Sequence, residues 1–508
     1  MSGPESSSPI DRPAPRMRTV AVHGMVWLGG QRIAVRILDQ LFTIVLVRLL
    51  SPREFGLLAM AAVFAGLLSL FAHSGISQSI VQRKEMDDEF LSTAFWANVG
   101  VGCVLFMVAL GASRFLGAFM REPLAALLVV VLSLRFITDA TASTQSAVLQ
   151  RRMQYRSLSL RPLFASLVSG PIAIVMAYKG MGVWSLVAQQ LGASAAGAVA
   201  LYYAVGFRPK LTFSWTRFKE IWSFGGPLLL ARFFEYAVRN TDNLLVGRYL
   251  GSVALGFYSL AYIVFLVPVI DIGFPMTAVM FSTLSRMQDD VARLKQSFLM
   301  ATRYITMIAL PMMVGLAVVA PLMVEVAFGP KWLPSASVMS ILALAGFLRL
   351  MVSLGPSALQ AAGRTDLHMR WALLALVLYL PAFVVGLRWG ITGVAFGYLA
   401  ATAVLLPIQW GFVAKVMGLS VRDLWAAVFP SAAGCAVMAA AVLPARLALE
   451  GMAVPKIGAF AVLVTLGVAV YAAVMWIIQR QAVLRLVKIV GEIRTIPTGR
   501  RLSNAEEV

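Results

Sequence analysis

Apolar runs of twenty or more residues recur along the whole chain, separated by short polar loops. Fourteen can be drawn, near 24–50, 55–80, 91–111, 124–149, 158–178, 184–205, 220–250, 253–283, 297–320, 334–362, 367–388, 391–414, 424–445 and 457–478. A hydrocarbon layer about 30 Å thick calls for about 20 helical residues, and tilt accommodates the longer runs. Run length, and the lack of ten-residue alternating segments, predict helices rather than barrel strands. The expectation is an all-α membrane protein of about 14 transmembrane helices.

Composition agrees. Of 508 residues 60% are hydrophobic and 13% charged, about half the charged share of a soluble domain. The net charge of +20 first suggests a nucleic-acid partner, but its distribution excludes that reading, because the basic residues sit mainly in short loops. With the N-terminus in the cytoplasm, the cytoplasmic segments carry 26 lysines and arginines and the opposite side ten. That bias places both termini in the cytoplasm. Residues 1–20 read as a disordered cytoplasmic tail and 479–508 as a basic one. The Thr212–Trp222 and Gln479–Arg494 stretches are basic and amphipathic, suited to the inner membrane surface. Cys103 and Cys435 lie in apolar runs and read as small buried hydrophobes. The three histidines are scattered, with no metal-ligand spacing, so no metal or other cofactor is expected.

The chain carries a faint duplication. LVRLLSPREFGLLAMA from Leu46 aligns with VGRYLGSVALGFYSLA from Val246, matching Arg48 with Arg248, Gly56 with Gly256 and Ala61 with Ala261. Arg32 matches Arg232 at the same offset of 200. Ser146-Ala147 and Gly182-Val183 match Ser357-Ala358 and Gly393-Val394 at an offset of 211. Two parallel six-helix repeats are expected, an N-lobe over 21–212 and a C-lobe over 213–416, around a central cavity. Two further helices follow over 417–478. Repeats with a site at their interface suit alternating access.

Charges persist inside the spans, where each costs about 2.5–3.5 kcal/mol on insertion scales. The first span carries Arg32, Arg36 and Asp39 on one face. The seventh carries Arg232, Glu235, Arg239 and Asp242, with Asn240 and Asn243 beside them. The fourth carries Arg135 and Asp139, the eighth Asp271 between Pro268 and Pro275, and the tenth Arg349. Guanidinium groups lining an aqueous cavity would bind phosphate through paired donors in a planar fork. That reading makes Arg32, Arg36, Arg135, Arg232, Arg239, Arg349, Asn240 and Asn243 substrate-binding candidates for an anionic, phosphorylated substrate. Asp39, Asp242 and Asp271 are candidates for a coupling proton or sodium. The competing reading is neutralisation within single helices: Arg36 by Asp39, Arg135 by Asp139, Arg232 by Glu235 and Arg239 by Asp242. Arg32 and Arg349 lack such a neighbour.

Several segments resemble bacterial polysaccharide flippases of the Wzx type, within the multidrug, oligosaccharidyl-lipid and polysaccharide exporter superfamily. They are LVRLLSPREFGLLAMA, SQSIVQRKE from Ser77, KGMGVWSLVAQQL from Lys179, RNTDNLLVGRYLGSVALGFYSLAY from Arg239, FGPKWLP from Phe328 and AAGRTDL from Ala361. The resemblance covers roughly residues 20–420. It implies a transporter, not an enzyme, that moves a lipid-linked oligosaccharide across the bacterial inner membrane. The implied carrier is undecaprenyl diphosphate, and polysaccharide assembly proteins are the implied partners, along with membrane lipids. A multidrug or cation antiporter on the same fold is the alternative, although it would favour an acidic or aromatic pocket. A membrane polymerase or ligase would need a sizeable loop on the far side, and the longest there is about a dozen residues.

Overall fold

The structure, a computed structural model, describes residues 17–72, 80, 87–152, 154–216, 226–273, 276–277, 280, 283–284, 291–452 and 454–495. Its helices are α1 (Met17–Leu49), α2 (Pro52–Ala72), α3 (Asp88–Met120), α4 (Pro123–Arg151), α5 (Tyr155–Tyr178), α6 (Val183–Val205), α7 (Gly226–Pro268), α8 (Val291–Ala327), α9 (Pro334–Ala361), α10 (Thr365–Gly386), α11 (Gly390–Met417), α12 (Val421–Glu450) and α13 (Lys456–Thr495). Ten helical stretches are long and apolar enough to cross a membrane. The fold is an all-helical, multi-span membrane bundle. The SQSIVQRKE segment except Ile80, most of the Thr212–Trp222 stretch, and the tails over 1–16 and 496–508 lie outside the described residues.

Local chemistry sets the breaks. Gly251 adopts φ 87° and ψ 178° inside α7, a conformation essentially restricted to glycine. The chain folds back there. Tyr258 donates its hydroxyl to the Asp242 carboxylate at 2.9 Å although sixteen residues separate them. A continuous helix would hold them about 24 Å apart. Gly390, at φ 69°, separates α10 from α11. Non-helical φ/ψ at Gln479 breaks α13 where the apolar run gives way to basic residues. After Pro268 the chain runs through a five-residue π turn, Val269–Gly273, which holds Asp271. Proline cannot donate into the ladder, so the register slips locally.

In the first half α3 packs on α4, α5 on α6 and α1 on α5. In the second, α9 packs on α8 and α11, and α12 on α8 and α13. The halves meet along α2 and α7. The contact between α2 and α7 is reciprocal: a Cβ added to Gly56 would overlap the Ser252 carbonyl oxygen, and one added to Gly256 would overlap that of Pro52. Gly56 and Gly256 are 200 residues apart, as are Pro52 and Ser252. Small residues at such a crossing let backbones touch, which is how helices associate in lipid.

The end of the bundle where α1 turns into α2 is sealed by exchanged helix caps. Arg48, in the last turn of α1, donates to the carbonyls of Ala327 (2.8 Å) and Val326 at the C-terminus of α8. In return Lys331 donates to the Arg48 carbonyl at 2.7 Å, and Trp332 Nε1 to that of Val47 at 2.8 Å. Each cation lies where a helix end leaves carbonyls unpaired and the dipole is negative. Trp332 is completely buried between the edges of Phe55 and Phe257. Glu122 completes the seal, accepting from Ser252 Oγ at 2.7 Å and pairing with Arg53 at 3.5 Å. Cys435 is buried as expected, but Cys103 is exposed on α3, because the bundle's outer face is built to meet hydrocarbon rather than core.

Candidate functional site

Three polar groupings lie at depth in the bundle. The first joins the two halves. Arg36 Nε on α1 is 3.3 Å from Asp271 Oδ2 in the π turn. Their side chains are 37% and 47% exposed, so the pair sits in an open space rather than a sealed core. Arg36 is about 20 Å along α1 from the capped end, at 1.5 Å per residue. The expected partner, Asp39, is turned away and accepts from Ser166 Oγ on α5 at 2.6 Å. Positions three apart on a helix diverge by about 60°, and α5 packs against the Asp39 side of α1.

The second grouping belongs to the first half. Arg135 and Asp139 pair at 3.4 Å within α4, as their spacing predicts. Two residues of α6 join them: Arg135 Nη1 donates to Gln190 Oε1 at 3.3 Å, and Ser194 Oγ donates to Asp139 Oδ1 at 2.7 Å. Thr138 and Ser194 share a further hydroxyl contact. Arg161 of α5 lies in the electrostatic reach of Asp139. Arg161 lies near the start of the 158–178 apolar run. It is six residues inside α5, since the helix begins at Tyr155. An apolar run interrupted by one arginine near its start gives no signal to separate a snorkelling side chain from one that turns inward.

The third fills the interior of the second half. Asp242 is 1% exposed and accepts from Tyr258 and from the Asn243 amide at 2.8 Å. Among the described residues its carboxylate makes no ion pair with Arg239, whose guanidinium instead lies 6.0 Å from the Tyr236 ring centroid. Arg349 of α9 donates to the Tyr398 hydroxyl on α11 and lies over that ring. Tyr398 stacks with Tyr379 and Phe383 of α10 at 5.4 and 6.1 Å. Tyr379 shares a 2.9 Å hydrogen bond with Thr402. Arg349 has no acid within a turn of its own helix, yet it has a tyrosine box and lies in the field of Asp242. Asn240 donates to the Tyr236 carbonyl at 2.9 Å, and Asn243 Oδ1 is buried without a partner among the described residues. The side chains of Arg32, Arg232 and Glu235 lie outside the described residues.

The structure therefore brings Arg36 together with Asp271, and Arg135 with Asp139. Among the described residues no hydrogen bond or ion pair joins either pair to Arg349 or Asp242. Tyr258, Tyr398, Gln190 and Ser194 are the polar partners that spacing along one helix could not reveal.

A family model described as polysaccharide biosynthesis protein matches residues 45–337, more than half of the chain. The chain belongs to that family. It is 28% identical over 411 residues to the lipopolysaccharide biosynthesis protein WzxC of Escherichia coli (strain K12), covering 80% of this chain and 84% of WzxC. It is 27% identical to the succinoglycan biosynthesis transport protein ExoT of Rhizobium meliloti (strain 1021), covering 66% of this chain and 67% of ExoT. Among solved structures, the lipid II flippase MurJ in an inward closed conformation superposes with a TM-score of 0.71 at 16% identity. That match covers 90% of this chain and all of MurJ, and it is a likeness of fold.

Proposed function

We propose that this family member flips a lipid-linked oligosaccharide, on an undecaprenyl diphosphate carrier, across the bacterial inner membrane. The carrying observation is the Arg36–Asp271 pair. It is the ion pair at depth that spans the two halves among the described residues, and both partners are partly open. A diphosphate offers the same bidentate oxygens as a carboxylate with more charge. It can take Arg36 from Asp271 without leaving a guanidinium stranded at membrane depth. Protonation of Asp271 would also release Arg36, leaving it for the diphosphate to pair with, which makes Asp271 the foremost of the coupling candidates Asp39, Asp242 and Asp271. Polysaccharide assembly proteins are the proposed partners on the receiving side.

The architecture we infer has fourteen crossings. The fold-back at Gly251 and the turn at Gly390 divide two of the ten long stretches, and α1 and α7's neighbour in the count, α6, supply the remaining two. Residues 21–212 and 213–416 form the parallel repeats, 417–478 the added pair, and 1–20 and 479–508 cytoplasmic tails. The reciprocal Gly56–Ser252 and Gly256–Pro52 contacts support the two-fold relation. The exchanged caps then belong to a closed extracytoplasmic gate, with the Arg36–Asp271 level reached from the cytoplasm. The sugar head would cross between the lobes, shielded from hydrocarbon that cannot hydrogen-bond it, while the lipid tail stays outside. Arg32, Arg135, Arg232, Arg239 and Arg349, with Asn240 and Asn243, are the further proposed contacts.

Reconstituted vesicles holding a fluorescent undecaprenyl-diphosphate oligosaccharide test this reading. Wild-type protein is expected to expose the inner-leaflet probe to an external quencher at least tenfold faster than empty vesicles. A rate equal to that of empty vesicles, with protein correctly inserted, would overturn it.

A further inference from the structure

We propose that Arg161 and Arg135 form an anion subsite on the α4–α5–α6 wall, which takes a carboxylate or phosphate group of the transported head group. The inference rests on the transport reading above and adds a place on the wall where part of the head group is held.

Arg161 is half-buried, well inside α5, and its side chain runs over Gly197 of α6. A Cβ built at Gly197 would sit 3.0 Å from Arg161 Nε and 3.6 Å from Cγ and Nη2. The glycine is what lets the guanidinium lie against that helix. Among the described residues none of its five N–H donors makes a hydrogen bond, and no carboxylate lies within 4.0 Å. Its nitrogens are nevertheless not sealed from solvent, since none is among the buried unpartnered atoms. Asp139 exerts an electrostatic pull on it, but that carboxylate is already occupied by Ser194 Oγ at 2.7 Å and Arg135 Nε at 3.4 Å.

Arg135 is held loosely as well. Its contacts at 3.3 and 3.4 Å are longer than the roughly 2.7–2.9 Å usual for a charge-assisted bond. Among the described residues Asp139 pairs with Arg135 alone and no carboxylate lies within 4.0 Å of Arg161, so the wall carries an uncompensated positive charge. An ion left so at membrane depth is costly unless water or an anion meets it. Gln190, Ser194 and Thr138 surround the spot with groups suited to sugar hydroxyls. An acidic substituent on the glycan and the carrier diphosphate share the required chemistry.

The test uses the full-length protein purified in detergent, titrated with glucuronate, inorganic pyrophosphate and glucose while its thermal unfolding is followed. Wild-type protein is expected to be stabilised by at least one anion and not by glucose. Arg161→Gln should weaken that anion at least tenfold, and Arg161→Lys, which keeps the charge without the planar fork, should weaken it less. Loss confined to glucuronate assigns the subsite to an acidic sugar, and loss confined to pyrophosphate assigns it to the carrier. If Arg161→Gln does not purify as a single species, Arg161→Lys alone carries the comparison. Equal anion binding by wild-type and variant protein, equal stabilisation by glucose, or no anion binding by wild-type protein would each overturn the subsite. The vesicle assay keeps the two ideas apart: probe flipping with unchanged anion binding in Arg161→Gln removes only the subsite. Anion binding without flipping removes the transport reading.

Discussion

The guanidinium of Arg36 reaches across the bundle to Asp271, 3.3 Å away and 235 residues later in the chain. One partner stands on a regular helix and the other in a π turn that follows Pro268. A partly exposed pair of this kind contributes about 0–1 kcal/mol to stability. Its placement between the halves therefore matters more than its strength.

Asp271→Asn and Arg36→Gln should accordingly separate stability from transport. Each is expected to leave the melting temperature in detergent nearly unchanged. Each should lower polysaccharide export in a deletion strain at least tenfold at equal membrane abundance. Full export by Arg36→Gln would remove Arg36 from the substrate path.

Much of this fold was legible in the alternation of apolar runs and loops. The predicted 184–205 and 334–362 runs coincide with α6 and α9 almost to the residue, because glycine and proline fix where those helices begin. The break between the 220–250 and 253–283 runs falls on Gly251 for the same reason. Partnership was less legible. Spacing along one helix identified Arg135 with Asp139, since i and i+4 share a face. It could not foresee that Asp39 turns to Ser166, or that Asp242 turns to a tyrosine on the returning arm of α7. Those choices depend on which neighbouring helix covers each face, and a single sequence does not carry that information.

The capped end offers a measure of how tightly the halves are held there. Gly56→Ala or Gly256→Ala forces a methyl group into a backbone carbonyl across the crossing. Backbone cannot swing aside as a side chain can, so about 1–3 kcal/mol should be lost from the closed arrangement. In intact cells, a Ser252→Cys reporter, 5% exposed in the native seal, should react faster with a membrane-impermeant maleimide when Gly56 is alanine. An unchanged rate would mean the crossing is not part of the gate.

Tyr258 separates packing from charge satisfaction. Tyr258→Phe keeps the ring but leaves the buried Asp242 carboxylate with the Asn243 amide alone. Losing a hydrogen bond to a buried charged group costs about 1.5–3 kcal/mol. A clear fall in melting temperature is expected, and restoring it by Tyr258→Phe with Asp242→Asn would show that the cost lies in the unmet charge. Equal loss in single and double variants would place it in packing.

Trp332 gives the sharpest contrast of all, because its ring and its N–H do different work. The ring is fully buried against Phe55 and Phe257. Its Nε1 meets Val47 O, a carbonyl that the end of α1 leaves without its helical donor, since the Ser51 amide turns to Glu54 Oε2 at 2.6 Å. Trp332→Ala removes both contributions and should cost about 3–5 kcal/mol. Trp332→Phe keeps most of the packing and orphans the carbonyl, for about 1–3 kcal/mol. Thermal unfolding of the purified variants should therefore rank wild type above Trp332→Phe above Trp332→Ala. If the two variants unfold together, the hydrogen bond rather than the ring holds α1 to the 328–332 segment. In that case opening of this end would be governed by the caps alone.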